Sequence, residues 1–353
     1  MSNEKQQFIT RADSQALYGI GILLMVFHHC FSFPDRLRYP VTSVLLRFET
    51  LSRLSWSGKL CVAVFAFVSG YAFASMAAGL RETQPVPRLR ADIRLTLRQL
   101  GKFYGKFWLV FAVYVPIGIF FFGAPRSPLC LLRGLLLGKF YNGEWWYVSQ
   151  YLKFLLVFPA LDLLFYHPGH RARKAAVLIG VALCALLIRA LAWDSLVGQG
   201  VRFLKSKLYS DYMLLFVTAF LIRRYQLFIR LDRRLHLPAW VCLLGIAALL
   251  TLRWLLVKSP VESRFDPLLT PPLAYLSVCL LHREKAAAIG RFLRFFGRYS
   301  TWMWLTHTFW LYHYFPKIAL FPRCAPLVYV WVVLLALGNG LVFDFMHSRI
   351  RKF

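Results

Sequence analysis

Two adjacent histidines, His28 and His29, close an apolar run at residues 18–29, YGIGILLMVFHH. A polar or ionisable side chain is expensive to hold inside a bilayer, so one found there is by default a functional-site hypothesis. Imidazole is also the side chain whose ordinary pKa suits proton transfer near neutral pH. The chemistry open to such a pair is general acid or base catalysis at membrane depth. A histidine at a helix end can instead face the headgroups or bond a neighbouring helix. Adjacent residues on a helix point ~100° apart, so at most one of the two faces a given site directly.

The elements that must position these rings are membrane helices. The chain is 59% hydrophobic and 17% aromatic, with a mean hydropathy of +0.54. That is more apolar surface than a soluble domain can hide. The expected fold is all-α, a polytopic membrane protein built as one transmembrane domain over residues 1–353, since no polar stretch is long enough for a separate core. Ten apolar segments can be drawn, at 16–33, 57–79, 103–123, 145–166, 175–192, 208–222, 237–257, 270–281, 301–321 and 325–346. A comfortable span needs ~20 residues, so the sixth and eighth are short. The stretch PLCLLRGLLLGKFYNG between the third and fourth reads as interfacial or re-entrant.

Charge sets the orientation. There are 43 Lys and Arg against 15 Asp and Glu, a formal net charge of +28. On a soluble protein this balance would suggest nucleic acid. Here the charges lie in short loops between apolar runs, so topogenesis and anionic headgroups are the simpler account and no nucleic-acid partner is expected. With the N terminus in the cytosol, the larger share of Lys and Arg falls on inner segments. Both termini are therefore placed in the cytoplasm. The loop from Arg36 to Lys59, with Arg38, Arg47 and Arg53 between them, is unusually basic for an outer one. The start, MSNEKQQFITRAD, lacks an apolar core followed by a small-residue cleavage site, so the first helix is expected to direct insertion. The seven cysteines are scattered with no CxxC spacing, which gives no reason to expect a disulfide framework or a metal site.

Five stretches together resemble one family. YGIGILLMVFHHCF resembles the first-helix signature of the acyltransferase-3 family of integral membrane O-acyltransferases. GKLCVAVFAFVSGYAFA resembles its second helix, RQLGKFYGKFW the basic start of its third, and NGEWWYVSQYLKFLLVFP the Trp-rich start of its fourth. YSTWMWLTHTFW resembles its late Ser…Leu-x-His motif, here Ser300, Leu305 and His307. The resemblance implies a ten-helix bundle in the cell membrane. Such a bundle takes an acyl group, usually acetyl, from cytosolic acetyl-CoA or another acyl-CoA. It passes that group to a hydroxyl of a carbohydrate or glycolipid acceptor of the cell envelope, often at the outer face. The family places a basic residue eleven positions before the histidine; here that position is Tyr18. Its Arg-x-x-Arg pair before the third helix is also altered, with Gln99 and Lys102 at that spacing and Arg98 beside them.

Acyl transfer from a thioester to a hydroxyl needs a base, donors for the developing oxyanion and exclusion of water. The family spacing selects His29 as the base, with His28 in reserve. His29 lies ~20 Å into the membrane from Ala16, so the donor must thread deep into the bundle. His307, about two turns into a span that begins at Thr301, is nearer the cytosol and either orders the site or packs helices. On the donor side stand Tyr18, Ser69, Arg98 and Lys102, the last two within a basic stripe from Arg88 to Lys106 that also suits headgroups. At the outer boundary Glu144, Trp145, Trp146 and Asp211 are candidates for the acceptor, the indoles as a platform for sugar faces or as interface anchors. Asp162, Arg189 and Asp344 lie within apolar spans and are expected to pair internally, with each other or with Lys153. The alternative from another class is a membrane transporter or exporter of an envelope glycan, lipid or small acyl metabolite, with no covalent chemistry.

Overall fold

The computed structural model describes residues 7–83, 88–138, 140–165, 211–257 and 265–350. The expected fifth span, with Arg189, lies outside the described residues. Every other expected span falls on helix, and among the described residues the sole β-type pairing is an isolated bridge between Thr42 and Cys324. The helices are α1 (Arg11–Phe31), α2 (Phe48–Ser57), α3 (Leu60–Thr83), α4 (Arg88–Phe121), α5 (Pro128–Leu137) and α6 (Trp146–Leu164). After the undescribed stretch come α7 (Asp211–Arg224), α8 (Leu227–Leu235), α9 (Ala239–Leu255), α10 (Asp266–Leu281), α11 (Ala287–Thr308), α12 (Pro316–Ala319) and α13 (Ala325–Ile350). Five of the described segments are long and apolar enough to cross a membrane, and a sixth is α7 with α8 if that pair, bent by 66°, counts as one span. The stretch expected to be interfacial is α5, a ten-residue helix.

Helix α1 begins with a reciprocal cap. Thr10 Oγ1 accepts from Asp13 N (3.2 Å), and Asp13 Oδ2 accepts from Thr10 N (2.9 Å). His282, just past α10, lies 3.0 Å from the same Asp13 oxygen and pins the start of α1 to its neighbour. Further along, α1 meets α11 at two glycines. A Cβ on Gly19 would lie 2.0 Å from the Leu293 carbonyl oxygen, and one on Gly297 only 1.7 Å from that of Gln15. Only glycine permits backbones this close, which is how small residues let membrane helices pack.

That contact sets the depth of the histidines. Gly19 to His29 and Gly297 to His307 are equal steps of ten residues, ~15 Å of helix, on two helices running the same way. His307 is therefore level with His29. The expectation that it sits two turns into its span, nearer the cytosol, is corrected: its helix begins at Ala287, with a charged first half too polar to have been counted as span. Beyond Thr308 the backbone widens into a π turn, Phe309–His313, before α12. This turn brings the Tyr312 hydroxyl onto the carbonyl of His29, one of the acceptors a helix end leaves unpaired.

Of the charges expected to pair internally, Asp344 is half-buried, accepts from Trp302 Nε1 (3.2 Å) and lies 3.9 Å from Arg298. A pair that apolar patterning did not single out, Arg253 and Asp266, joins α9 to α10 with Nε and Oδ1 2.8 Å apart and both side chains fully buried.

Candidate functional site

Three side chains from distant parts of the chain form one hydrogen-bonded array. His307 Nε2 lies 2.8 Å from His29 Nδ1, and His29 Nε2 lies 3.2 Å from Glu144 Oε2. Arg36 Nη1 donates to the other carboxylate oxygen at 3.0 Å. Each partner is positioned locally. Asn142 caps the turn before α6 by accepting from Glu144 N (3.0 Å), and it donates to Thr308 Oγ1 (2.8 Å) at the end of α11. Trp145 donates to Leu305 O (3.0 Å) and Trp304 to Glu144 O (3.3 Å). These bonds tie the start of α6 to α11 and hold Glu144 across from His29.

The donors and acceptors of the array determine its protons. His307 Nδ1 lies 3.0 Å from the carbonyl oxygens of both Met303 and Trp304. A carbonyl only accepts, so this nitrogen carries a proton, and Nε2 of the neutral ring is an acceptor. His29 Nδ1 must then donate to it. At its other nitrogen His29 faces a carboxylate, which when ionised also only accepts. A proton between His29 Nε2 and Glu144 satisfies that contact, and it must leave to solvent before Nε2 can act as a base.

His28 belongs to a separate network. Its Nδ1 lies 3.1 Å from Ser55 O and 2.7 Å from Ser32 Oγ. The Ser55 carbonyl fixes the proton on Nδ1. Ser32 then donates to Ser55 Oγ (2.8 Å), which donates to Ser52 O (2.8 Å). All three polar residues are buried, so the network binds α1 to α2 with its hydrogens accounted for.

Two cavities lie near the array, and His29, Glu144 and Arg36 line the second of them. The first, of about 830 Å³, is lined by Tyr18, Ser69 and Lys102 together with Arg11, Lys106 and Arg298. Tyr18 Oη and Ser69 Oγ are 3.5 Å apart on its wall. The second, of about 780 Å³, is lined by His28, His29, Glu144 and Trp146, with Arg36, Trp56 and Tyr312. Tyr147 and Trp304 line both. Their rings meet edge to face, centroids 5.6 Å apart, and form the partition between the two spaces.

Five of the residues expected to act on donor or acceptor border a cavity, Tyr18, Ser69 and Lys102 the first and Glu144 and Trp146 the second, which the expected base His29 also lines. His28 borders the second cavity as well, and His307 is wholly buried behind His29. Arg98 is exposed on α4 and does not border the first cavity, which Gln99 and Lys102 do. Trp145 is fully buried against Phe107, Phe111 and Phe309, so its ring is part of the core and presents no face to the second cavity. Asp211 opens α7, and its side chain lies outside the described residues. Among the described residues no group of three His, Cys, Asp or Glu side chains converges as metal ligands would. Sequence reasoning missed Arg36, Asn142, Tyr147 and Trp304. Asn142 carried a signal, a capping residue directly before an apolar helix.

A family model described as an acyltransferase domain, that of the acyltransferase-3 family, matches residues 15–343, nearly the whole chain. No curated protein and no solved structure matches it.

Proposed function

The chain belongs to the acyltransferase-3 family, and from that premise we propose that it is an O-acyltransferase of the cell membrane, moving an acetyl group from cytosolic acetyl-CoA to a hydroxyl of an envelope polysaccharide, glycolipid or precursor. The observation that carries this reading is the His307–His29–Glu144 array at the wall of one cavity, which shares the residues Tyr147 and Trp304 with a second. The proposed arrangement has about ten membrane helices with both termini in the cytoplasm. The first cavity then opens inward, and Arg11, Lys102 and Arg298 take the phosphates of the donor. The pantetheine arm runs past Tyr18 and Ser69 towards the partition, and Tyr18 supplies a hydroxyl where the family's basic residue would stand. The second cavity opens outward and takes the acceptor.

The steps follow from the atoms. His307 holds His29 as the Nδ1–H form, which leaves Nε2 as the basic nitrogen. The acceptor hydroxyl takes over the Nε2 contact while Glu144 keeps its bond to Arg36. His29 Nε2 removes the hydroxyl proton, and the oxygen forms its bond to the thioester carbon. The C–S bond breaks, and the thiolate of coenzyme A leaves with the proton from His29.

The test is release of coenzyme A by the purified chain in lipid with acetyl-CoA and envelope glycans. Wild type is expected to turn over, and His29→Ala to lose roughly 10²–10⁴-fold in kcat while melting as a folded protein. Full activity in His29→Ala would remove the proposed base.

A further inference from the structure

We propose that the second cavity takes a glycan bearing negative charge, a carboxylate or a phosphate, near the hydroxyl that is acylated. This rests on the reading of that cavity as the acceptor's. It adds the class of acceptor, which neither the array nor the family match specifies.

The first support is the balance of charge on the cavity wall. Three cations line it, Arg36, Arg38 and Lys59, against two acids, Asp35 and Glu144. Arg36 is committed: it bonds Glu144, and its guanidinium stands 4.1 Å from the centre of the Phe33 ring. Among the described residues, Lys59 and Arg38 are in no ion pair. The Lys59 ammonium is held 5.8 Å from the centre of the Trp56 ring, so an aromatic face keeps it at the cavity. An approaching ligand thus meets an excess of positive charge inside a concave, low-dielectric wall, where fields are focused.

The second support is independent and comes from the chain's charge pattern. On the orientation above, the loop from Arg36 to Lys59 works against the bias that keeps Lys and Arg on the cytosolic side. Arg53 is occupied by the Trp254 ring, 4.8 Å away. Arg36, Arg38 and Lys59 are gathered at one cavity. Cations that oppose topogenesis and converge on a site are accounted for if they hold an anion. The neutral part of the ligand is accounted for by the aromatic faces of Phe33, Trp56 and Trp146, which suit the apolar faces of sugar rings.

The test uses the full chain in nanodiscs of phosphatidylcholine, which carries no net charge. Three probes are titrated against tryptophan fluorescence: an oligosaccharide of glucuronic acid, glucose 6-phosphate, and maltotriose as the neutral control. At low salt at least one anionic probe is expected to bind roughly tenfold tighter than maltotriose, the scale of two partly exposed ion pairs. The gap is expected to close in high salt and in the double variant Arg38→Gln, Lys59→Gln, with maltotriose binding unchanged. Which anionic probe binds tells carboxylate from phosphate recognition. Equal or tighter binding of maltotriose, no binding of either anionic probe, or an unchanged preference in the double variant would each overturn the proposal. A double variant that instead raises KM for acetyl-CoA would make this the donor's cavity and overturn the functional reading with it. An anionic preference in a wild type that releases no coenzyme A would overturn the acyl transfer alone.

Discussion

The role of His307 can be tested without removing the base. Its Nε2 accepts from His29 Nδ1 at 2.8 Å, in a place with no access to solvent. Replacing it by Leu leaves the His29 N–H buried with nothing to accept it. A buried donor left unsatisfied costs ~1–3 kcal/mol. The ring can avoid that cost only by changing tautomer or turning, and either removes the lone pair from Nε2. At ~1.4 kcal/mol per tenfold in rate, His307→Leu should lower kcat by roughly 5- to 150-fold with little change in KM for the donor. His307→Gln is the control, because its amide oxygen accepts from Nδ1–H while its amide hydrogens serve the Met303 and Trp304 carbonyls. It should retain most of the rate that Leu loses. The assay is initial velocity of coenzyme A release at saturating donor, with thermal melting to confirm that both variants are folded. Wild-type kcat in the Leu variant, or equal losses in Gln and Leu, would show that His307 packs the helix and does not position His29.

Gly297→Ala forces a Cβ to within 1.7 Å of a backbone oxygen of α1, so it should destabilise the protein by at least ~1–3 kcal/mol, read as a lowered Tm; an unchanged Tm would deny the close crossing. The Asp13 carboxylate beside His282 raises that imidazole above its ordinary value. A raised folded-state pKa means that its stabilisation is complete below the unfolded-state value and is lost as pH rises through the folded one. The Tm difference between wild type and His282→Gln should therefore be largest below about pH 6.5 and shrink above it, and a difference that grows with pH would refute the pairing. Trp304→Leu opens the wall shared by the two cavities, so coenzyme A release without any acceptor should rise as water reaches the thioester; unchanged background hydrolysis would show that the wall does not keep water out.

Residue types were legible in the sequence, and their mutual arrangement was not. Helical placement of the expected spans followed from apolar runs, because hydrophobic length is a local property. The helix that carries the ninth expected span starts earlier, at Ala287, because its first half holds arginines at 291, 294 and 298 that hydropathy counts against a membrane helix. Arginine side chains can extend along a helix so that their heads stay wet, which lets such a helix continue inward past them. The error moved His307 towards the cytosol and hid its partnership with His29. Choosing between His28 and His29 was equally beyond periodicity, since both are buried. What separates them is the neighbour: three serine groups around His28, and an imidazole and a carboxylate around His29.

Two glycines explain why a site this composite is placed where it is. Neither Gly19 nor Gly297 touches the histidines, yet both are needed to bring α1 and α11 close enough for His29 and His307 to share a hydrogen bond ten residues later. The third member, Glu144, comes from a helix start that Asn142 and two tryptophans bond to α11. One helix, α11, is thus the common reference for every group of the array, and its length explains the spacing. Eleven residues beyond Gly297 the helix ends at Thr308, which bonds Asn142, and the π turn that follows carries Tyr312 to α1. A regular helix through residues 309–313 would carry Tyr312 to another face and leave the carbonyl of His29 unpaired. The irregular turn is therefore tied to the end of α1 that carries His29, and it falls beside the residues proposed to do the chemistry, where π bulges are frequently found.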